Sequence, residues 1–389
     1  MKNRIILFII LLVVLPRILT GQEIGKEKNY LITGYIKDLR TIMFEKIDEE
    51  WIIDNMLHNR INFKWYMSDH FTSAIEMRSR FIYGEFVKII PGYDELIDTD
   101  NGFIDLTTNL FSQSSFIFNT TIDRAWVEFF YGSFNIRAGR QRINWGQNFV
   151  WNPNDIFNSY SFFDFDYEER PGSDALRIQY YTGVSSLAEI SVKADCNNDI
   201  TAAWLFRFNK WKYDIQFIGG ILNSEDLVIG TGWSGDIKGA GFRGEMSFFY
   251  PKKNFSDTSG IFIASVAGDY TFKNSLFLQF EMLYNGYAGK IKITSFDQYY
   301  YMPLSVKTLS FTEYSLFGQV SYPITPIFHG TLSGMFYPSI DGYFIGPSLE
   351  LSIMENLDFS VHAQSFKGEL IEDIKETLSF LFFRMRWSF

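Results

Sequence analysis

The last residues of the chain alternate between apolar and polar side chains. Phe383, Met385 and Trp387 fall on one parity, whereas Arg384 and Arg386 fall on the other. A β-strand with this alternation has one apolar and one cationic face. On a helix, residues two apart lie about 200° apart around the axis, so the two arginines would share no face. The pattern therefore indicates a wall with lipid outside and water inside.

The same alternation recurs along the chain and predicts about 18 strands, with about 16 as the alternative count. In one of them, Leu278 and Phe280 oppose Gln279 and Glu281. Bacterial barrels need an even number of strands, which this count provides. The predicted strands cover residues 30–37, 57–66, 71–83, 122–131, 134–145, 176–181, 187–193, 202–209, 214–222, 228–235, 241–250, 261–272, 276–286, 311–322, 330–337, 343–354, 357–366 and 377–389.

The connections between these strands provide an independent test of the barrel. If the first strand runs outward, every long connection falls outside, and the chain ends inside. Barrels of the outer membrane have long extracellular loops and short periplasmic turns, whereas a soluble sandwich has no reason to alternate. The sequence thus predicts an all-β fold, a transmembrane antiparallel β-barrel. The long connections are 38–56, 84–119, 146–172, 251–260 and 287–308, and the short ones are 67–70, 132–133, 182–186, 210–213, 273–275 and 323–327.

The N-terminal residues are predicted to be a signal peptide. Lys2 and Arg4 precede an apolar run at 5–15, which is shorter than the ~20 residues that a spanning helix needs. Cleavage near Gly21 would leave a signal peptide at 1–21 and the barrel at 22–389, and an uncleaved anchor is the alternative. The terminal Phe389 resembles the signal that the barrel assembly machinery reads. Export and a lipid-facing wall together predict the outer membrane of a Gram-negative bacterium.

Composition and charge narrow the function classes. Aromatic residues make up 19% of the chain, yet its mean hydropathy is close to zero. A barrel reconciles these values because half of its strand positions face lipid and half face water. A formal net charge of −10 argues against a nucleic-acid partner. Cys196 is alone, so no disulfide framework is expected, and no cofactor motif is present.

The strand at 134–145 places arginines on both of its faces. Arg137 and Gln141 share one face, whereas Arg140 and Arg142 share the other and would face lipid. A charged residue on the lipid face near the midplane costs about 2–4 kcal/mol. We therefore expect a bulge or kink at Gly139 that returns Arg140 and Arg142 to the lumen. The alternative is that both lie at the rim, where they snorkel.

Strand pairing and barrel closure would bring many cations into one sector of the inner wall. Arg60 and Lys64 belong to this sector, and Glu76 and Glu128 dilute its charge. The candidate pore-lining and solute-binding residues are Arg78, Arg80, Arg124, Arg137, Arg140, Arg142, Arg177, Arg384 and Arg386.

The long connection after this strand is acidic and could fold inward against the cations. One interpretation is a selectivity constriction, in which arginines attract anions and loop carboxylates form an opposing row. The other is a salt-bridge network that only fastens the loop, since buried wall charges need partners in either case. A calcium site within this cluster is a weaker third, because no EF-hand loop is present. The candidate constriction residues are Asp155, Asp164, Asp166, Glu168 and Glu169.

This stretch also resembles the alginate-export-like family of outer-membrane porins. The shared pattern is an arginine, then Gly-Arg-Gln, then Trp-Gly, here Arg137, Gly139, Arg140, Gln141, Trp145 and Gly146. The resemblance implies a diffusion channel whose arginines contact an anionic solute. The predicted function is passive diffusion of a small hydrophilic, anionic solute, and the alternative is a structural or surface-binding barrel without transport.

An enzymatic role is not predicted. Ser360 and His362 share a predicted lumen face with Asp358 and Gln364. Two residues on one strand face are about 6–7 Å apart, which is too far for direct contact between a nucleophile and its base. No G-x-S-x-G or H-E-x-x-H motif is present.

Overall fold

The computed structural model describes residues 29–164, 166, 169–253, 259–293, 295, 298, 305–371 and 374–389. The predicted signal peptide at 1–21 lies outside these residues. No helix in the described ranges is long and apolar enough to cross a bilayer. Within the described ranges there are two short α-helices, α1 (Phe86–Ile89) and α2 (Tyr93–Ile97). The strands are β1 (Tyr30–Phe44), β2 (Ile52–Tyr66), β3 (Phe71–Gly84), β4 (Thr107–Gln113), β5 (Phe116–Tyr131), β6 (Phe134–Gln141), β7 (Ser173–Gly183), β8 (Ser186–Ala194), β9 (Ile200–Lys210), β10 (Tyr213–Leu222), β11 (Asp226–Ile237), β12 (Ala240–Pro251), β13 (Ile261–Thr271), β14 (Phe277–Asn285), β15 (Tyr314–Thr325), β16 (Phe328–Tyr337), β17 (Gly342–Met354), β18 (Leu357–Ile371) and β19 (Ile374–Ser388).

The sheet closes on itself. Chain neighbours pair antiparallel, and β19 returns to pair with β1 from Tyr35 opposite Ser388 to Phe44 opposite Ser379. β3 pairs with β5 along its length, while the short β4 pairs with the first half of β5 only. Over the described residues, the wall therefore consists of 18 strands with β4 added beside it, which confirms the predicted closed antiparallel barrel.

The two faces of the wall follow the alternation of the sequence. On β19, the side chains of Met385 and Trp387 are exposed on the outer surface, at 46% and 38%. Phe380 and Phe382 point inward and are each 5% exposed. An outer apolar face and a filled interior are the arrangement expected of a barrel in a bilayer.

All of the long connections lie at one end of the barrel, as predicted, although that end also carries the short connections 195–199, 223–225 and 338–341. We call this end the loop end and the opposite end the turn end. The loop end carries the connections 45–51, 85–115, 142–172, 252–260 and 286–313. The turn end carries 67–70, 132–133, 184–185, 211–212, 238–239, 272–276, 326–327 and 355–356.

Several strands are longer at the loop end than the sequence indicated. β1 continues to Phe44 and β2 begins at Ile52. Among the outward positions of β1 in this region, Asp38 and Arg40 are charged and exposed, whereas Ile42 is apolar. The apolar parity that marks a lipid-facing strand is therefore interrupted within β1, which explains why the predicted strand ended early.

The first part of β5 was not predicted from the sequence because this strand contains a β-bulge. Glu76 pairs with Arg124 and the next residue, Met77, pairs with Ile122, so Asp123 has no opposite residue. The extra residue reverses the parity, and both Asp123 and Arg124 point inward and are buried. The alternation of inward and outward side chains is broken at the bulge, so β5 looks like two separate segments in the sequence. Only the second segment was predicted to be a strand.

Candidate functional site

Residues 142–172, which we call the inner loop, fold into the barrel. Trp145, Asn154 and Phe157 are almost fully buried within it. Phe163 packs edge-on against Phe344 and Phe366 of the inner wall, with ring centroids 5.1 and 4.8 Å apart. The loop thus occupies the bore rather than standing above the barrel, in agreement with the inward folding considered from the sequence.

The inner loop contacts an acidic side and a basic side of the barrel wall. On the acidic side, Glu245 of β12 and Glu281 of β14 accept hydrogen bonds from backbone N–H groups of residues 147–154. On the basic side, Lys37 of β1 places its Nζ 2.7 Å from Asp166 Oδ1 and also donates to the Asp166 carbonyl oxygen at 2.8 Å. The loop is therefore held at both sides of the bore.

Asp166 is ionised in this contact. Burial opposes the charge of its carboxylate, but the neighbouring His58 and the positive charge of Lys37 outweigh burial and hold the pKa of Asp166 below its usual range. His58 Nδ1 lies 3.8 Å from the carboxylate. This predicted constriction carboxylate thus meets the cationic wall directly.

Arg60 of β2 is the centre of the basic side. Its guanidinium bonds to Asp123 and Glu76, the latter at 2.6 Å, and its Nε lies 3.6 Å from Glu169 of the inner loop. The Arg60 side chain is fully buried. Arg124 adds two further bonds to this part of the loop, to the carbonyl oxygens of Glu169 at 2.7 Å and of the following residue at 2.8 Å.

Gly139 provides the backbone irregularity expected before Arg140. Its φ is +113°, and a Cβ there would lie 2.2 Å from the Ala125 carbonyl oxygen, although strand pairing continues through it without a shift. Arg140 is buried and bonds to Asp100 and Asp174 at 2.6 and 2.8 Å. Arg140 therefore fastens the segment before β4 to β7, with both acids close enough to balance its charge.

Other charged residues of the inner loop lie in different environments. Arg142 and Arg170 lie over the Tyr160 ring, with Cζ 5.8 and 4.1 Å from its centroid. Asp164 is exposed. Glu168 lies outside the described residues. The structure thus brings Asp166 and Glu169 to the cationic wall, while Asp164 lies in a different environment.

The Asp155 side chain points into the inner loop rather than towards the cationic wall. Its Oδ1 accepts a hydrogen bond from the Trp145 N–H at 3.2 Å, and the side chain is fully buried. Burial raises the pKa of Asp155 to about 8, against the opposing effects of that bond and of Arg142. At neutral pH this carboxyl is protonated and acts as part of the loop core.

Asp155→Asn is expected to stabilise the barrel at alkaline pH. The folded pKa exceeds the unfolded one, so the wild-type protein loses stability as pH rises from the unfolded value of about 3.9 towards the folded one. Asparagine keeps an acceptor for Trp145 without an ionisable proton. The gain at pH 9 should exceed about 1 kcal/mol, since each pKa unit is worth about 1.4 kcal/mol, and it should vanish near pH 4. Thermal unfolding in detergent at both pH values measures it, and an equal gain at both would contradict the assignment.

Towards the turn end, two arginines share one carboxylate. Arg137 and Arg177 are opposite each other on β6 and β7. Arg137 lies 2.6 Å from Glu128 and Arg177 lies 3.8 Å from the same oxygen. All three side chains remain partly exposed inside the barrel. Glu189 of β8 also attracts Arg177, so two cationic side chains face the interior beside two carboxylates.

Arg78 and Arg80 border a cavity at the loop end. Arg78 lies 3.2 Å from Asp123, and Arg80 donates to Asn119 Oδ1 at 2.8 Å. The cavity has a volume of about 310 Å³, and Lys193 and residues 156–159 of the inner loop also line it. The surface of this cavity is more polar than apolar.

The last two candidate arginines lie on β19, beside the barrel closure. Arg384 Nε donates to Ser360 Oγ at 3.0 Å. The Arg386 guanidinium lies 4.4 Å from the centroid of the Tyr35 ring on β1. Closure of β19 on β1 thus places both in the same sector as the cations of β1 to β3, as the meander predicted.

The expected separation of Ser360 and His362 is wrong. His362 Nε2 lies 2.9 Å from Ser360 Oγ, because the two side chains lean towards each other along one strand face. Asp358 accepts a hydrogen bond from Ser352 at 2.9 Å. Ser360 is nearly fully buried. The contact is part of the hydrogen bonding of the wall, and the buried hydroxyl is poorly placed to meet a substrate.

Sequence reasoning missed the acidic side of the site. Glu245 and Glu281 were recognised only as polar residues on the inward parity of their strands. Gly230 and Gly232, inward positions of β11 where the inner loop approaches closely, were not singled out. Carboxylates in the middle of long strands, far from any turn, are the signal that could have identified the anchors, because lumen charges at that depth need partners.

No family model and no curated protein matches the chain. Several solved structures resemble it over nearly its whole length. OccAB1 of Acinetobacter baumannii superimposes with a TM-score of 0.56 at 8% identity and covers 95% of this chain and 99% of its own. OprD of Pseudomonas aeruginosa gives 0.56 at 8%, covering 94% and 97%. OccK11 of the same species gives 0.56 at 6%, covering 95% and 99%.

The chain has a porin fold. At these identities the similarity concerns the fold alone. Within the porin fold, the alginate-export-like resemblance of residues 137–146 finds no support, since no family model matches. The side-chain roles assigned above rest on the geometry of this chain.

Proposed function

We propose that the protein is a channel of the Gram-negative outer membrane for passive diffusion of a small hydrophilic, anionic solute. The observation that carries this proposal is the position of the inner loop, which lies in the bore between a cationic and an acidic wall. An 18-stranded barrel is wide enough to leave an aqueous channel, and an inward loop narrows it to the size of a small solute. Charged rings and narrow passages are the usual sources of selectivity in such pores.

The preference for anions follows from the arrangement of charge along the cationic wall. Arg137 and Arg177 lie opposite each other and keep their side chains partly exposed to the bore, although Glu128 and Glu189 partly offset their charge. A cleft with one sign of charge and low-dielectric walls concentrates ions of the other sign. The cavity beside Arg78 and Arg80 would admit the solute from the loop end.

A closed barrel that binds a partner at its surface is the second candidate. Lys37, His58 and Arg60 are each exposed by at most 1%, which supports a tight seal of the loop against β1 and β2. Planar-bilayer recordings separate the two functions, since a sealed barrel carries no steady current. An enzymatic role is not part of the proposal, because Ser360 is buried and bonded to Arg384.

The anion preference can be tested with the double substitution Arg137→Gln and Arg177→Gln. Removing two lumen charges should move the reversal potential in a KCl gradient towards cation selectivity, while the channel stays open. Arg40→Gln is the matched control, because Arg40 is exposed on the outer face of β1. An unchanged reversal potential in the double variant would reject the role of these arginines.

A further inference from the structure

We propose that Glu245 and Glu281 are the positioning residues of the inner loop, two wall carboxylates that bind its backbone and thereby set the width of the bore. The loop-binding part stands on the geometry of these residues, whereas the width-setting part rests on the proposed channel function. The two parts have separate measurements below.

Glu245 binds the first turn of the loop at two points. One carboxylate oxygen accepts the N–H groups of Gln147 and Asn148, the latter at 3.0 Å. The other oxygen accepts the N–H of Asn154 at 2.9 Å. Glu245 is fully buried, so backbone groups replace the water that would otherwise solvate its charge.

Glu281 binds the stretch between these points. Its Oε2 accepts the N–H groups of Phe149 and Val150 at 3.3 and 3.0 Å, and its Oε1 accepts that of Trp151 at 2.7 Å. Ser265, on the strand between the two glutamates, donates to the Trp151 carbonyl oxygen at 2.8 Å. Together the two carboxylates receive six consecutive or nearly consecutive backbone donors, an arrangement typical of anion binding by main-chain N–H groups.

The neighbouring strand β11 is shaped to admit the loop at this height. A Cβ at Gly230 would lie 2.7 Å from Asn154 Oδ1, and one at Gly232 would lie 2.7 Å from Gln147 Oε1. A Cβ at either inward position would force the side chain of Asn154 or Gln147 to shift. The two glycines therefore lie against the same two loop residues whose N–H groups Glu245 binds.

The isosteric change to glutamine tests the carboxylates without creating a cavity. A glutamine keeps one acceptor oxygen but points an NH₂ donor at backbone N–H donors. Hydrogen exchange in detergent should therefore become about tenfold faster for the amides of residues 147–154 in Glu245→Gln and Glu281→Gln, because one acceptor oxygen that faces these N–H groups is replaced by a donor. Glu350→Gln, an exposed inward carboxylate near the turn end, is the matched control and should leave this exchange unchanged.

The double variant Glu245→Gln and Glu281→Gln is then recorded in planar bilayers. Faster loop exchange with a larger single-channel conductance supports both parts of the proposal. Unchanged exchange overturns the anchoring. Faster exchange without a rise in conductance overturns the width-setting part, whereas the absence of a steady current through the wild-type barrel would count against the channel function itself. If the glutamine variants do not fold, Glu245→Asp, which keeps the carboxylate but shortens its reach, provides the same exchange measurement at Asn154, and normal protection there overturns the anchoring.

Discussion

Replacement of residues 147–163 by an equal length of glycine and serine is expected to raise the single-channel conductance several-fold. This stretch fills the bore with side chains that a Gly-Ser segment cannot supply. Phe162 packs on Phe317 with ring centroids 5.0 Å apart, and Phe163 packs on Phe344 and Phe366. Loss of these contacts would leave an 18-stranded wall around water.

The replacement keeps the chain length, so the strands on either side of the loop can still reach each other. The same replacement at residues 46–50, an exposed part of the connection between β1 and β2, is the control and should leave conductance unchanged. A replaced inner loop with wild-type conductance would mean that another segment limits the current. The connection 286–313 would then be the next candidate, since Val306 and Phe311 of that connection are also buried.

The wall could be predicted from the sequence because the rule that forms it is local. Outward and inward side chains alternate with period two, so residues such as Phe280 and Glu281 reveal their faces from their neighbours alone. Closure of β19 on β1 followed from the meander. The errors in the wall occurred where the local rule fails, at the bulge at Asp123 and at the charged outward position Arg40.

The path of the inner loop could not be predicted in the same way. It depends on contacts such as Asn154 with Glu245 and Gln364 with Phe163, which join residues far apart in the chain. Acidic loop residues were expected to face arginines, and Asp166 and Glu169 do meet cations. The loop composition contains nothing that distinguishes them from Asp155, whose carboxyl bonds to the backbone of its own loop.

Arg60→Met is expected to be the most destabilising single substitution in the cationic wall, at about 3–5 kcal/mol. Methionine fills a similar volume, so the loss is electrostatic rather than steric. It leaves Asp123 and Glu76 of the wall and Glu169 of the inner loop without the cation that they share. Asp123 is almost fully buried and would keep Arg78 at 3.2 Å, so the weakened compensation of its charge is the largest part of the cost. Urea unfolding in detergent micelles measures the loss, and Arg40→Met, an exposed site, should change stability by less than about 0.5 kcal/mol.

The double variant Arg60→Met and Asp123→Asn separates the two possible origins of that loss. If the cost comes from the carboxylate left behind, neutralising Asp123 should restore a substantial part of the stability, and the two substitutions will not be additive. Additive losses would mean that Arg60 stabilises the barrel through packing alone. Only if the losses are not additive does the bond from Arg60 to Asp123, the bulged residue, link the shape of β5 to the position of Glu169. In that case the wall helps to position the loop that narrows the bore.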